Sequence, residues 1–258
     1  MTSLLFATTL LIWHAANYLL SADPISDDRR HSSPPPVRCL IWFTARALVA
    51  AALIAVLTRP SGVWLAVSMF AGCFLLPVAR WLWVPSAYLA ELEIIGNGAF
   101  AAIACFLIGH FGLEIGPFVH AAPWAAGYVF SAALVIFVVR GGTYIVRGVL
   151  NRAGTMPPPR WQQAPGIAPD AAVDLQRALP VDTVELNHGR LIGNVERIIL
   201  VLFIANGQYT ALGFFFAAKG LIRSKDVERR AWADYLILGS LTSFLVAVAV
   251  GLLVRAAL

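Results

Sequence analysis

The stretch GRLIGNVERIILVLFIANGQYTALGFFFAAKGLIR, from Gly189 to Arg223, places ionisable side chains inside two apolar runs. Asn206-Gly207 separates the two runs, because an Asn-Gly pair marks a tight turn. The sequence therefore predicts two antiparallel helices, about Gly189–Ala205 and Gln208–Ile222, and we interpret both as membrane spans. An ionisable residue inside a span is costly, so by default it pairs, lines a wet cavity or binds a ligand.

The depth of each charged residue follows from its distance to the turn. Glu196 lies about ten residues before the turn and Lys219 about twelve residues after it, at 1.5 Å of helix rise per residue. In an antiparallel hairpin the two reach similar depth, so they can pair. Arg197 is turned by about 100° from Glu196 and must face another neighbour. Lys219 and Arg223 lie four residues apart on one face, where like charges repel unless an anionic group lies between them. Asp234, at the start of the next apolar run, can supply that group.

The composition of the whole chain indicates a membrane protein. Apolar residues make up 59% of the 258 residues and charged residues only 13%. An ordinary soluble domain is about 45–50% apolar and about 25% charged. Lipid must therefore solvate much of this chain. The net charge of +5 does not form the basic stripe over a polar face that nucleic-acid binders show, so we expect no nucleic-acid partner.

Apolar runs of about 17–25 residues, the length that crosses a bilayer, recur along the chain. They predict an all-α fold, a polytopic bundle of about eight transmembrane helices. Five runs lie in an N-terminal membrane region, 1–150: Ser3–Leu20, Cys39–Thr58, Val63–Ala79, Tyr88–Gly109 and Trp124–Arg147, with the fifth expected to end at Arg140-Gly141-Gly142. A Pro-rich loop, 151–188, follows. The C-terminal membrane region, 189–258, holds the two runs of the hairpin and a last run, Asp234–Val254.

Basic residues are distributed unevenly between the segments that link these runs. If the N-terminus lies outside, the inner segments hold both lysines and most arginines, whereas the outer segments hold only Arg59 and Arg255. Positively charged loops remain in the cytoplasm. The distribution predicts that both termini lie outside and that the 151–188 loop is cytoplasmic.

With this orientation, almost every polar residue within a span falls in the inner third of the bilayer. The candidate ligand-binding residues are Glu196, Arg197, Lys219, Arg223, Asp234, Arg46, Arg140, Glu91 and Glu93. One interpretation is a structural ring of ion pairs whose long side chains extend to the interface. The other is a cavity open to the cytoplasm, with a net positive floor that suits a phosphate, a carboxylate or a lipid headgroup.

The sequence contains no pattern that predicts a catalytic residue, a metal site or a cofactor. Its three cysteines, Cys39, Cys73 and Cys105, are odd in number and lack Cys-x-x-Cys spacing. His110, Glu114 and His120 offer imidazole and carboxylate ligands, but their spacing matches no strong metal motif. The phosphate-binding loops and nucleophile motifs of common enzyme families are also missing from the sequence.

The segment Gly189–Phe244 resembles the C-terminal signature of a bacterial inner-membrane family, domain-of-unknown-function family 3307. The resemblance rests on three motifs: Gly189-x-x-Ile192-Gly193-x-x-Glu196-Arg197, Ala218-Lys219-x-x-x-Arg223, and Asp234-Tyr235-Leu236-Ile237-x-Gly239-Ser240-Leu241-x-Ser243. The N-terminal half departs from the family, whose first helix has a histidine followed one turn later by aspartate. This chain has His14 and Asn17 there. The resemblance implies a multi-pass protein of the bacterial inner (plasma) membrane and supplies no activity.

Two functional hypotheses follow. The first is a non-enzymatic binding or complex-forming membrane subunit, surrounded by the lipid bilayer. Its polar site would hold an anionic lipid, a phosphate-bearing ligand or a protein partner, and the 151–188 loop would be a second place for a protein partner. The alternative is a membrane-embedded transporter or enzyme that uses the cluster of Glu196, Arg197 and Lys219 in a cytoplasm-open cavity.

Overall fold

The structure, a computed structural model, describes residues 2–20, 37–58, 60–82, 86–115, 122, 124–155, 183–223 and 230–258. Every regular element in these ranges is helical. The α-helices are α1 (Thr2–His14), α2 (Val37–Thr58), α3 (Val63–Leu82), α4 (Leu89–His110), α5 (Ala125–Ile136), α6 (Gly142–Ala153), α7 (Thr183–Ala205), α8 (Tyr209–Arg223) and α9 (Arg230–Ala257). Two π-helical segments, Ala15–Leu19 and Phe137–Gly141, extend α1 and join α5 to α6.

Five of the helical rods are long and apolar enough to cross a membrane, which makes the chain a multi-pass membrane protein by length and composition. They are Val37–Thr58, Val63–Trp81, Leu89–His110, Ala125–Ala153 and Ala233–Ala257. A shorter apolar helix covers Tyr209–Ile222. The predicted all-α membrane class is confirmed, and the finer count of eight spans stays a prediction.

The fifth predicted span does not end where the sequence indicated. Instead of stopping at Arg140-Gly141-Gly142, the rod continues through these residues as the second π segment and α6. It ends at Ala153, where Gly154 adopts a positive φ of 67°. Such a left-handed residue is a common helix terminator because glycine has no Cβ to clash. The two internal glycines instead allow close approach, since a Cβ on Gly142 would lie 3.2 Å from Nε of Arg197.

The hairpin predicted from Asn206-Gly207 is confirmed. Helix α7 ends at Ala205 and α8 begins at Tyr209. Between them Gly207 has a φ of 69°, which only glycine adopts at little cost. Helix α7 begins at Thr183, six residues before the predicted start at Gly189. Most of the 151–188 loop lies outside the described residues, as does Arg59.

Neighbouring contacts show which helix ends lie together. Helices α1 and α5 run in the same direction, since Phe6 packs against Phe130 and His14 against Phe137. The start of α5 lies beside the end of α9, where a Cβ on Gly127 would meet the carbonyl of Ala257. At the other end of the bundle, the end of α6 lies beside the start of α4. We call this second end, which carries most of the buried charges, the basic end.

Two apolar clusters form the interior. The larger surrounds Trp13 of α1, which stacks on Phe100 of α4 with ring centroids 3.8 Å apart, and it includes residues of α2 and α3. The second joins α5, the second π segment, α7 and α9 around Val138, Leu200 and Ala247. The polar residues of the basic end lie between and beside these clusters, so packing fixes their positions.

Candidate functional site

A pocket of about 100 Å³ opens at the basic end between α6, α7 and α9. Arg147 of α6, with Arg190 and Arg197 of α7, line it together with one carboxylate, Glu196. Three cations and one anion give the lining a net positive charge. The remaining lining residues are small, polar or apolar: Thr143, Val146, Leu150, Gly189, Ile192, Gly193, Tyr235, Leu236, Gly239, Ser240 and Ser243.

Arg197 is the most deeply placed cation of this pocket, with only 2% of its surface exposed. Its Nη1 donates to the Ser243 hydroxyl at 3.2 Å, and its Nη2 donates to Thr143 at 2.8 Å and to Asn194 Oδ1 at 2.5 Å. The predicted turn of about 100° away from Glu196 is confirmed, because Arg197 faces α6 and α9. These neutral oxygens hold the guanidinium in place without cancelling its charge.

The charge of Arg197 has no direct counter-ion within the described part of the chain. No carboxylate there forms an ion pair with it, and its buried Nε makes no hydrogen bond. A buried charge is strongly unfavourable unless it is paired. The pocket at Arg197 therefore suits an anionic group beyond the carboxylates of the described residues.

Glu196 forms an ion pair across the hairpin. Its carboxylate accepts from Lys219 Nζ of α8 at 2.5 Å, with 15% and 14% of the two side chains exposed. The predicted pair across the hairpin is therefore confirmed. Lys219 therefore balances the single carboxylate of the pocket lining.

Two glycines of α7 lie at the pocket. Gly189 and Gly193 have the small-x-x-x-small spacing that permits close helix approach, and both line the pocket. A Cβ on Gly189 would lie 2.8 Å from the Tyr235 hydroxyl of α9. The missing side chains thus keep open the space between α7 and α9.

The other predicted site residues do not join this pocket. Asp234 is exposed at the start of α9, and Arg140 is half-buried in the second π segment. Arg223 ends α8, and its side chain lies outside the described residues. Glu91 of α4 accepts from Arg152 of α6 at the exposed rim of the basic end. The single polar layer expected from depth is divided into separate clusters.

Glu93 lies in a second, enclosed cluster. It is fully buried, and Arg80 of α3 binds it through two hydrogen bonds of 2.5 and 2.9 Å. The Tyr18 hydroxyl donates to the same carboxylate at 2.6 Å. The Arg80 guanidinium also lies over the rings of Tyr18 and Tyr144, 5.0 and 4.5 Å from their centroids. The span predicted from the sequence, Val63–Ala79, ends one residue before Arg80, and the sequence did not indicate this pair.

The first π segment completes the enclosed cluster. Asn97 of α4 accepts from Trp13 Nε1 at 2.8 Å and donates to the Tyr18 hydroxyl at 2.8 Å. Residues five apart on an α-helix point about 140° apart, so an unbroken helix would not aim both rings at one amide. The wider turn between them, closed by the bond from Leu20 N to Ala15 O at 3.1 Å, brings them to the same face. No sequence signal marks this turn.

Arg46, another predicted site residue, is a buried cation of α2 with 3% exposure. Its Nη2 donates to the carbonyl of Cys73 at 3.2 Å. Pro77 lies four residues later in α3 and has no N–H, so this carbonyl lacks its helical partner. Arg46 thus satisfies a carbonyl that a proline leaves open, while its Nε and Nη1 make no hydrogen bond.

Together these features define a class: a helical, multi-pass membrane protein with an enclosed ion pair and a basic pocket at the same end. The comparisons with known proteins give no narrower assignment. No protein-family model, no curated protein and no solved structure matches the chain.

Proposed function

We propose that this chain is a non-enzymatic membrane protein that binds the phosphate or carboxylate group of an anionic ligand in the pocket between α6, α7 and α9. The observation that carries the proposal is Arg197, a buried cation without a carboxylate partner among the described residues. Arg147 and Arg190 line the same pocket. Guanidinium groups suit phosphate and carboxylate because their planar donors match paired oxygens.

The size of the pocket limits what enters it. About 100 Å³ is well below the roughly 300–1,000 Å³ of a site that encloses a whole small molecule. Such a space takes one anionic group while the rest of the ligand stays outside. A lipid headgroup at the membrane surface fits this description, and so does a free phosphate.

The positive-inside pattern supports an orientation for the site. In this proposal the chain crosses the bacterial inner membrane eight times, with both termini outside and the basic end in the cytoplasm. The residues that resemble family 3307 lie largely in this pocket, among them Gly189, Gly193, Glu196 and Arg197. The residues that carry the resemblance and the residues that line the pocket therefore both lie mainly on α7 and α9.

The arrangement favours binding over the alternative of transport or catalysis. A proton-carrying carboxylate needs to exchange partners, whereas Glu196 is held by Lys219 at 2.5 Å. Glu93 is enclosed by Arg80 and Tyr18. Neither carboxylate is poised to act on a ligand in the pocket.

Native mass spectrometry of the purified protein in nanodiscs tests the proposal. With phosphatidylglycerol in the nanodisc we expect a retained anionic lipid, whose affinity falls by on the order of tenfold to hundredfold in Arg197→Gln, the range for a hydrogen bond to a charged group. Thr143 and Asn194 are bonded to each other at 3.1 Å, so the variant keeps their contact. A thermal-shift titration with inorganic phosphate separates a free anion from a lipid headgroup.

Arg152→Gln is the matched control. It removes the same charge at the same end, but Arg152 is 62% exposed and lies outside the pocket. Equal loss of lipid in both variants would mean that general surface charge holds the lipid. The proposal would also be wrong if neither the lipid nor phosphate bound the wild-type protein.

A further inference from the structure

The pocket between α6, α7 and α9, which we call the basic pocket, lies along parts of the chain that can cross a membrane. Its α9 residues belong to the apolar span Ala233–Ala257, and its α6 residues belong to the apolar span Ala125–Ala153. The innermost of them are Ser243, ten residues after Ala233, and Thr143, ten residues before Ala153. Both helices therefore place the floor of the pocket about 15 Å from the end of the span, at 1.5 Å per residue.

Both spans are longer than the hydrocarbon layer of a bilayer. Their 25 and 29 residues correspond to about 37 and 43 Å of helix, whereas the hydrocarbon layer is about 30 Å thick. The ends of the spans therefore reach the lipid headgroups, and the pocket extends from that level into the layer of acyl chains. A membrane lipid has its charged group at this level, whereas a soluble anion has no apolar part to hold it there.

Apolar residues that face outwards lie beside the pocket. Ile192, which lines it, is 49% exposed, and Val195 lies one turn further along α7 and is also exposed. On α9, Leu241 directly follows the lining residue Ser240 and is 55% exposed. Exposed apolar side chains of a membrane span contact acyl chains, which are as apolar as leucine. The part of a ligand that stays outside the pocket therefore meets an apolar surface.

Ser243 supplies a second hydrogen-bond donor at the floor of the pocket, beside Arg197. Its Oγ accepts from Nη1 of Arg197 at 3.2 Å, and within the described part of the chain the hydroxyl makes no other hydrogen bond. A hydroxyl can also donate one hydrogen bond, so the proton of Ser243 is available to an oxygen of a ligand. Arg197 has no carboxylate partner there either. A negatively charged group with several oxygens satisfies both residues.

We propose that the ligand of the basic pocket is an anionic membrane lipid that enters sideways from the bilayer. Its phosphate binds Arg197 and accepts a hydrogen bond from Ser243, while its acyl chains lie along the exposed apolar residues of α7 and α9. This inference rests on the proposed function, because it names the source of the anion that the pocket binds. A soluble phosphate lacks the acyl chains that the apolar surface would hold.

Photo-labelling of the full chain in phosphatidylcholine nanodiscs compares a lipid with its own headgroup. The probe is phosphatidylglycerol with a diazirine in one acyl chain. Unlabelled phosphatidylglycerol at tenfold excess over the probe should suppress the labelling beside the pocket. Glycerophosphoglycerol, the same headgroup without acyl chains, should not suppress it even at a hundredfold excess, because each buried CH₂ group of a chain contributes about fourfold to affinity. Inorganic phosphate should also fail at that excess.

The positions of the cross-links show where the lipid lies. We expect them at Val195 and Leu241 beside the pocket, and we expect them to be lost in Arg197→Gln. Labelling of Val56 on α2, which is exposed but far from the pocket in the chain and does not line it, should persist in that variant and serves as the internal reference.

Two serines provide a matched pair of variants. Ser243→Ala should weaken the lipid by about tenfold or more, the range for a hydrogen bond to a charged group. Ser131→Ala is the control, because the Ser131 hydroxyl donates to the carbonyl of Gly127 at 2.8 Å and does not line the pocket. Equal melting temperatures of the two variants would show that both fold.

The possible failures lead to different conclusions. If glycerophosphoglycerol or inorganic phosphate suppressed labelling as well as the lipid does, the pocket would hold a soluble anion, so the proposed function would stand and this inference would be wrong. If the cross-links persisted in Arg197→Gln, the lipid would lie on the helices without using the pocket, and the inference would again be wrong. If neither the lipid nor a soluble anion bound, the proposed function would fail as well. The competition uses the wild-type protein, so it decides the question even if a variant does not fold.

Discussion

The Arg80–Glu93 pair shows how a costly residue is held inside a membrane protein. The two side chains are 3% and 0% exposed, so neither has water to stabilise its charge. Two hydrogen bonds join them, Tyr18 binds the carboxylate, and the ring of Tyr144 lies under the guanidinium. Every part of the pair has a partner, which is the condition under which a buried ion pair is tolerated.

Removing one member of this pair should lower the free energy of unfolding more than removing both members. Arg80→Met leaves Glu93 without its counter-ion, and we expect it to lower the free energy of unfolding by about 3–5 kcal/mol. The double variant Arg80→Met/Glu93→Leu should regain much of that loss. Denaturant unfolding in detergent, followed by tryptophan fluorescence, measures both.

The exposed pair of Arg152 and Glu91 is the control for this experiment. Arg152 is 62% exposed, and an exposed ion pair contributes about 0–1 kcal/mol, so Arg152→Met should change stability little. A double variant as unstable as Arg80→Met would contradict the role assigned to the pair. It would show that packing of the arginine stem matters more than its charge.

Helix α6 approaches the start of α4 closely at Gly148. A Cβ on Gly148 would lie 2.3 Å from the backbone nitrogen of Ala90, at the start of α4. A backbone atom cannot move away as a flexible side chain can. The glycine therefore allows α4 and α6 to touch, and this contact holds α4, which carries Glu93 and Asn97, against the rest of the bundle.

Gly148→Ala should separate these two helices. We expect a loss of about 1–3 kcal/mol, the usual cost of an extra methyl group in a tight contact, measured as a lower melting temperature in detergent. Gly109→Ala on α4 is the control, because its Cβ meets nothing within 4 Å. There the replacement should stabilise by about 0.5–1 kcal/mol, since alanine favours a helix. If Gly148→Ala left the melting temperature unchanged, α4 and α6 would lie farther apart at this point than they do in the structure.

At the scale of the whole molecule, hydrophobic runs predicted the helical membrane class and the Asn206-Gly207 hairpin. Both depend on local composition and on turn chemistry. Counting residues from the turn also indicated that Glu196 and Lys219 can pair, because two residues at similar distances from the turn of an antiparallel hairpin lie at the same depth. It did not find the Arg80–Glu93 pair, because the position of a residue along a helix does not show which neighbouring helix it faces.

The π segments were missed for a related reason. An extra residue in a helical turn has no composition of its own, so neither the Ala15–Leu19 segment nor the continuation through Arg140-Gly141-Gly142 could be predicted. The glycines of α7 were identified, but their spacing indicates packing and pocket formation equally well. Which of the two occurs depends on the side chain opposite, here Tyr235 of α9.

The number of spans decides where the two ends of the chain lie. Eight crossings place the N-terminus and C-terminus on the same side of the membrane, whereas an odd number, such as the five long helices alone, places them on opposite sides. In the structure the parallel course of α1 and α5, with the start of α5 beside the end of α9, brings Thr2 and Ala257 to the same end of the bundle. This arrangement supports an even number.

Reporter fusions test that orientation directly. Alkaline phosphatase, which is active only outside the cytoplasm, should be active when fused after Leu258 or before Met1, while green fluorescent protein at either place should be dark. The same reporters inserted after Thr155, in the loop that the charge pattern assigns to the cytoplasm, should give the reverse result. Opposite signals at the two termini would exclude eight spans. Reversed signals at all three places would keep the even number but move the basic pocket to the outer face, where a cytoplasmic ligand could not reach Arg197.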